Sequence, residues 1–202
     1  RGARRELAEA LAEGLGDRLD DVRRRIPGAA IVVQVDEPSL PAVLAGRVPT
    51  ASGFHRHRSV DAPAASPALE WVFAAVSASG ATPVAHCCAP DAPVRLLTGA
   101  GAAGVSVDLE VLPVSAYDDL ADLLEQGSPV HLGVVPTTSP ASPLSDRTVA
   151  ERVLRWLDML GLDPESASTL VLTPSCGLAA ADRDWAHRAL TLVQTVATSL
   201  RA

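Results

Sequence analysis

The sequence predicts an α/β fold with a parallel sheet, of the (β/α)8 TIM-barrel type, in which these 202 residues supply about five βα units. Three observations carry that expectation. Short β-branched runs alternate with amphipathic stretches of helical period, the pattern of parallel strands joined by crossover helices. The reactive side chains Asp36, His86, Cys88, Asp108 and Cys176 collect at the C-terminal ends of those runs, where barrels place their chemistry. No Gly-x-Gly-x-x-Gly follows the first run, and a chain without lysine has no Walker-type Gly-Lys, so a nucleotide-binding doubly wound sheet is disfavoured. The length suits one domain over 1–202 with a sizeable core.

The elements follow in order. Residues 4–26 place Leu7, Leu11, Leu15, Leu19 and Val22 three or four apart, one apolar stripe on a helix that Pro27-Gly28 ends. The run 31–35 reads as a buried strand closing on Asp36-Glu37-Pro38. The stretch 45–66, rich in Pro, Ser, Ala and Arg, reads as a long loop before a helix over 67–78 carrying Leu69, Val72, Phe73 and Val76. A second strand, 82–85, runs into His86-Cys87-Cys88. A short helix over 93–99 precedes a third strand, 104–107, ending at Asp108. A helix over 117–126 with Leu120, Leu123 and Leu124 inward leads to strand 130–135. The helix 146–160 is capped by Gly161, the fifth strand 169–172 ends in Thr173-Pro174-Ser175-Cys176-Gly177, and a helix over 181–200 closes the chain.

Composition narrows the function classes. The net charge of −7 gives no electrostatic footprint for nucleic acid or an anionic membrane. No apolar run reaches the roughly 18 residues a membrane span needs. Apolar content of 48% excludes disorder. Three cysteines without a signal-like start argue against a disulfide scaffold and for a reducing, cytoplasmic setting. The thiols are thereby left for metal or redox chemistry.

His86 and Cys88 stand two apart at one strand end, and residues i and i+2 of an extended chain face the same side. Cys176 closes a later strand, and Asp108 closes the one between. These four donors, N, S, S and O in kind, make a candidate zinc site drawn from three strand ends. Cys87, between two candidate ligands, faces the other way and reads as packing.

The order of motifs resembles a known family. Val33-Gln34-Val35-Asp36-Glu37-Pro38-Ser39-Leu40 is similar to the Gln-[Ile/Val]-Asp-Glu-Pro-Ala-Leu segment of cobalamin-independent methionine synthases. Glu70-Trp71, His86-x-Cys88, Val105-Ser106-Val107-Asp108 and Pro174-Ser175-Cys176-Gly177-Leu178 follow in that family's order, over essentially the whole chain. The resemblance implies a catalytic barrel in which zinc activates the thiol of homocysteine to accept a methyl group. It implies His86, Cys88 and Cys176 as zinc ligands, with Asp108 standing where the family has a glutamate. It implies Asp36, with Glu37 beside it, as the substrate-binding pair, Asp36 on the amino group. His131 falls on the family histidine of an Ile-His-Ser-Pro-Arg-Val-Pro segment, which implies a catalytic role in proton delivery to the departing methyl donor. The chemistry agrees: a thiol of pKa near 8.5 needs a metal to become a thiolate at pH 7, and an amine leaving group needs an acid.

The sequence also departs from the family. Asp108 is one methylene shorter than glutamate, the arginine after the histidine is missing, and three barrel strands are not visible. The partners implied are small molecules, homocysteine and a methyl donor, either of the 5-methyltetrahydrofolate type or something other than a polyglutamyl folate. A corrinoid- or uroporphyrinogen decarboxylase-like use of the same barrel, or a degenerate non-catalytic paralogue, are the alternatives. Five strands leave an open edge, so self-association or pairing with missing N-terminal strands is expected. His55 and His57 read as members of a solvated loop, and Trp156, Trp185 and His187 as helix faces against the sheet.

Overall fold

The computed structural model describes residues 2–165 and 168–201. Five parallel strands form one sheet in the order β1-β2-β3-β4-β5: β1 Val32–Asp36, β2 Thr82–Cys87, β3 Gly104–Asp108, β4 Val130–Val135 and β5 Leu170–Pro174. The helices are α1 Gly2–Arg25, α2 Leu40–Leu44, α3 Ala62–Ala78, α4 Val94–Gly99, α5 Tyr117–Glu125, α6 Asp146–Leu160 and α7 Arg183–Ser199, with a 3-10 turn at Val114–Ala116. Among the described residues the strand order never reverses, so it shows no switch point of the doubly wound kind and is that of a partial barrel. Among the described residues, no helix is long and apolar enough to cross a membrane.

The chain packs as two compact units. The first comprises Arg1–His86 with Pro93–Val105. Its core is the buried face of α3 (Leu69, Val72, Phe73 and Val76) with Val84 and Ala85 of β2 and Leu97 of α4. Leu19 of α1 joins Val76 and Ala81, flanked by Leu15, Ile31 and Val33. The β1–β2 pairing runs in parallel register from Val32↔Thr82 to Asp36↔His86. It is prolonged by the Glu37 N–H donating to the His86 carbonyl at 2.7 Å.

The second unit comprises Cys87–Ala92 with Ser106–Ala202. Its core is Val130, Leu132, Val134 and Val135 of β4 against Leu120 of α5, Val149, Val153, Trp156 and Leu157 of α6, and Ala189 and Val196 of α7. Trp156 meets Tyr117 edge to face, ring centres 6.3 Å apart. Trp185 is buried and donates its indole N–H to the Pro136 carbonyl at 3.1 Å. Both tryptophans thus take the packing roles that the helix patterns indicate.

Caps fix both ends of α6 and the start of α7. Ser145 accepts from the Thr148 N–H at 3.1 Å to start α6, and Gly161 ends it at φ 70°, the left-handed conformation a glycine adopts without strain. Asp182 caps α7 through the Trp185 N–H at 2.7 Å.

The structure departs from the sequence expectations in several places. The stretch 45–66 is not all loop: α3 begins at Ala62, with Pro63 in its first turn and Pro67 inside it. A proline costs little in a first turn, where the N–H is unpaired anyway, so Pro63 rather than Pro67 marks the start. A short helix, α2, also forms directly after the Glu37-Pro38 turn, with Pro41 near its start. Finally, β1 is not a fully buried strand: Val32, Gln34 and Asp36 are exposed and alternate with half-buried Val33 and Val35. As an outer strand of the sheet it has, among the described residues, a neighbouring strand on one side only. The stripe on α1 is likewise buried only toward its C-terminal half, since Leu7 is 72% and Leu11 57% exposed.

Candidate metal centre

Alternation along β2 sets the first two donors. His86 is buried within the strand, Cys87 packs into the core, and Cys88 follows just past the strand end, half-buried. Residues 86 and 88 therefore share a side while 87 points away. Cys176 comes two residues after β5, and its Sγ lies 3.4 Å from that of Cys88 across 88 residues of sequence. None of the three cysteines is in a disulfide. One donor atom each of His86, Cys88 and Cys176 lies within 4.8 Å of the others.

The donor set fits a soft-to-borderline divalent cation such as zinc, which takes thiolate and imidazole together. Burial, and secondarily the hydrogen bond with Cys176, push the Cys88 thiol up to about 11. Two adjacent sulfurs resist carrying negative charge unless a cation shares it, and coordination reverses that preference. Three protein donors leave a fourth position for a substrate atom, as in catalytic rather than structural zinc sites.

Cys176 is held by its neighbour. The Ser175 N–H donates to the Val135 carbonyl at 2.9 Å, and the Ser175 side chain hydrogen-bonds the Asp108 carboxylate. This close seating of the loop on β4 depends on Gly133, where an added Cβ would lie 2.5 Å from the Ser175 Cα and 3.0 Å from the Val107 carbonyl oxygen. Gly133 was not among the residues singled out from sequence, although a glycine inside a strand is itself a signal of close backbone approach.

The remaining candidates stand elsewhere. Asp108, at the end of β3, accepts from the Glu110 N–H at 3.0 Å as well as from Ser175, and is not part of the three-residue group. Burial raises its pKa above the ordinary 3.8, partly offset by the Glu110 N–H. Asp36 is exposed, and the Gln34 side-chain amide, two residues back on the same face, donates to it at 2.8 Å. Gln34 therefore orients Asp36, a role that the i, i+2 spacing makes legible in retrospect. Glu37 is half-buried, and burial followed by the charge of Asp36 raises its pKa above 4.5.

His131 lies near the start of β4, away from the strand's C-terminal end. It is the second residue of β4, paired with Val171, four residues before the strand's last residue, Val135. At roughly 3.3 Å per residue that is about 13 Å along the strand. Burial lowers its pKa below 6.5, so the imidazole is neutral at pH 7.

Comparison with known proteins adds one finding. No curated protein matches the chain. The family model described as cobalamin-independent synthase, catalytic domain, matches residues 3–199, with His86, Cys88 and Cys176 all inside the match. The chain therefore belongs to the cobalamin-independent synthase catalytic-domain family, whose members are methyltransferases of the methionine synthase type built on a barrel.

Proposed function

We propose that this protein is a zinc-dependent methyltransferase that methylates the thiol of homocysteine to give methionine. The observation that supports this most is the convergence of His86, Cys88 and Cys176 within 4.8 Å, in a chain matching the family over nearly its whole length. These three residues would hold the metal. Zinc, when bound, supplies the Lewis acidity that makes a substrate thiol a thiolate at neutral pH.

The chain's own residues do the rest. Asp36, fixed by Gln34, is the carboxylate for the substrate ammonium group, with Glu37 next to it as a second acceptor. A thiolate held at the strand ends then attacks the methyl carbon in line with its leaving group, and orientation by Asp36 contributes by cutting the entropy of that approach. Asp108, whose carboxylate is taken up by Glu110 and Ser175, serves to place Cys176 rather than to complete the donor set. His131, the expected proton donor, would act from its place near the start of β4.

The test is elemental metal content of protein purified without added metal. About one zinc per chain, lost in Cys176→Ser and Cys88→Ser, is the expected result. Methylation of homocysteine is then assayed with methyltetrahydrofolate and with a corrinoid-bound methyl group, which identifies the donor. A chain that holds no zinc after reconstitution, or that holds zinc and methylates no thiol with either donor, would overturn the proposal.

A further inference from the structure

The chain's own packing leaves two surface elements without a partner. In the first unit, residues 48–57 form a hairpin: Pro49 bridges Arg56 in antiparallel sense, and the His57 N–H donates to the Val48 carbonyl at 2.9 Å. The Thr50 N–H closes it on the His55 carbonyl at 2.9 Å, and Gly53 makes the turn at φ 74°. This hydrogen-bonded loop carries Phe54 at its tip, 88% exposed, whereas every other aromatic side chain is buried or half-buried. Around it, the stretch 38–60 holds Arg47, His55, Arg56, His57 and Arg58 and no acid.

The second unit carries the opposite surface. From residue 96 to 145 there are six acids and no arginine. On α5, Leu120, Leu123 and Leu124 are buried, while Asp118, Asp122 and Glu125, spaced four and three apart, form one exposed face. None of the three makes an ion pair among the described residues, and no base stands in the last turn of α5. Acids at that end oppose the helix dipole, and like charges four apart repel, so the pattern costs α5 stability that its own fold does not return. Just before α5, Val114 is 75% and Val111 36% exposed.

We propose that a second copy of this chain covers both elements, the hairpin of one copy docking on the α5 face of another. Phe54 sits on Val111 and Val114, Arg56 faces Asp118, and Arg58 faces Asp122. The spacings agree: residues two apart on an extended arm share a side about 7 Å apart, and residues four apart on a helix stand about 5–6 Å apart. Aromatic and arginine side chains are the usual anchors of protein interfaces, and a hairpin already held by its own bonds loses little freedom on docking. A polyphosphate or lipid surface would match the arginines but meet the −7 charge of the chain, whereas a second copy brings the acids. Nothing in this contact uses the metal centre or depends on methyl transfer.

The test is sedimentation velocity from about 10 μM to about 1 mM, at ionic strengths of about 0.05 M and 1 M. The parent chain is expected to self-associate reversibly at low salt. Its association constant should fall at least about tenfold at 1 M, where the Debye length is about 3 Å. Phe54→Ser, Arg58→Glu and Asp122→Arg, all at exposed positions, are each expected to weaken association at least about tenfold, with far-UV circular dichroism and Tm showing an intact fold. Mixing Arg58→Glu with Asp122→Arg in equal amounts is expected to restore association, since each chain then meets its opposite charge, whether the contact closes as a dimer or continues head to tail. A parent chain that stays monomeric over this range overturns the proposal. So does association that survives Phe54→Ser, as pairing through the open sheet edge would, or a mixture of the folded variants that restores nothing.

Discussion

Gly133 carries more of the candidate metal centre than its missing side chain suggests. Any Cβ there collides with the backbone of Ser175, the residue before Cys176, and backbone cannot rotate out of the way as a side-chain tip can. Gly133→Ala is expected to push the loop off β4, lowering metal affinity about 10–100-fold, the range seen when residues supporting metal ligands are changed. It should also cost about 1–3 kcal/mol of stability through overpacking. Metal titration followed by the cobalt–thiolate absorption band, with a chemical melt alongside, measures both. Glu37 makes a second residue-scale prediction. Its pKa is raised in the folded protein, so the unfolded chain ionises first and the folded state is penalised at pH values above both. Acidification protonates the folded form first, and the penalty fades as pH falls toward 4.5. Glu37→Gln should therefore melt higher than the parent at pH 7, with the gap closing near pH 4.5; a gap that widens on acidification would contradict the burial argument. His131 works in the opposite sense. Its folded pKa is lowered, so stability is lost as pH drops below 6.5, where the unfolded imidazole takes a proton that the folded one refuses. His131→Gln should flatten that acid-side loss.

At the scale of elements, α1 tests how much of a periodic pattern is used. The Leu7, Leu11, Leu15, Leu19 spacing reads as one continuous face, yet only its later half meets a partner, with Leu19 against Val76 and Ala81. Leu19→Ala should cost about 2–5 kcal/mol, whereas Leu7→Ala should stay within about 0.5 kcal/mol, both read from urea melts. Comparable losses at both positions would mean that the first turns of α1 are buried after all. A period shows which residues share a face; whether something covers that face is decided elsewhere. The same limit appears in the proline-rich stretch before α3. There the sequence reading started the helix at Pro67, and the structure starts it earlier, with Asp61 at the N-cap and Pro63 in the first turn.

For the whole molecule, the centre joins a strand end at 86–88 to a loop at 176, so a bound metal clips together segments that the unfolded chain holds apart. A ligand that binds only the folded state stabilises it by mass action, about 4 kcal/mol at a thousandfold excess over Kd. Chelation of the holoprotein should thus lower Tm by several degrees, with no such drop in Cys176→Ser. An equal shift in that variant would place the metal elsewhere.

The five strands, the reactive side chains at their C-terminal ends and the shared side of His86 and Cys88 were legible in the sequence because each rests on a short-range period. Two-residue alternation and 3.6-residue spacing are local, and the chain writes them out directly. The ordering of motifs carried the family with it, since order along a chain needs no folding to be read. What only the tertiary structure decided are distances between segments far apart. It brings the Cys176 Sγ to within 3.4 Å of that of Cys88, hydrogen-bonds Asp108 to Ser175 and Glu110, and pairs His131 with Val171 near the start of β4. Those outcomes depend on strand register and on how closely a loop can approach a strand, as at Gly133, and no local pattern encodes either.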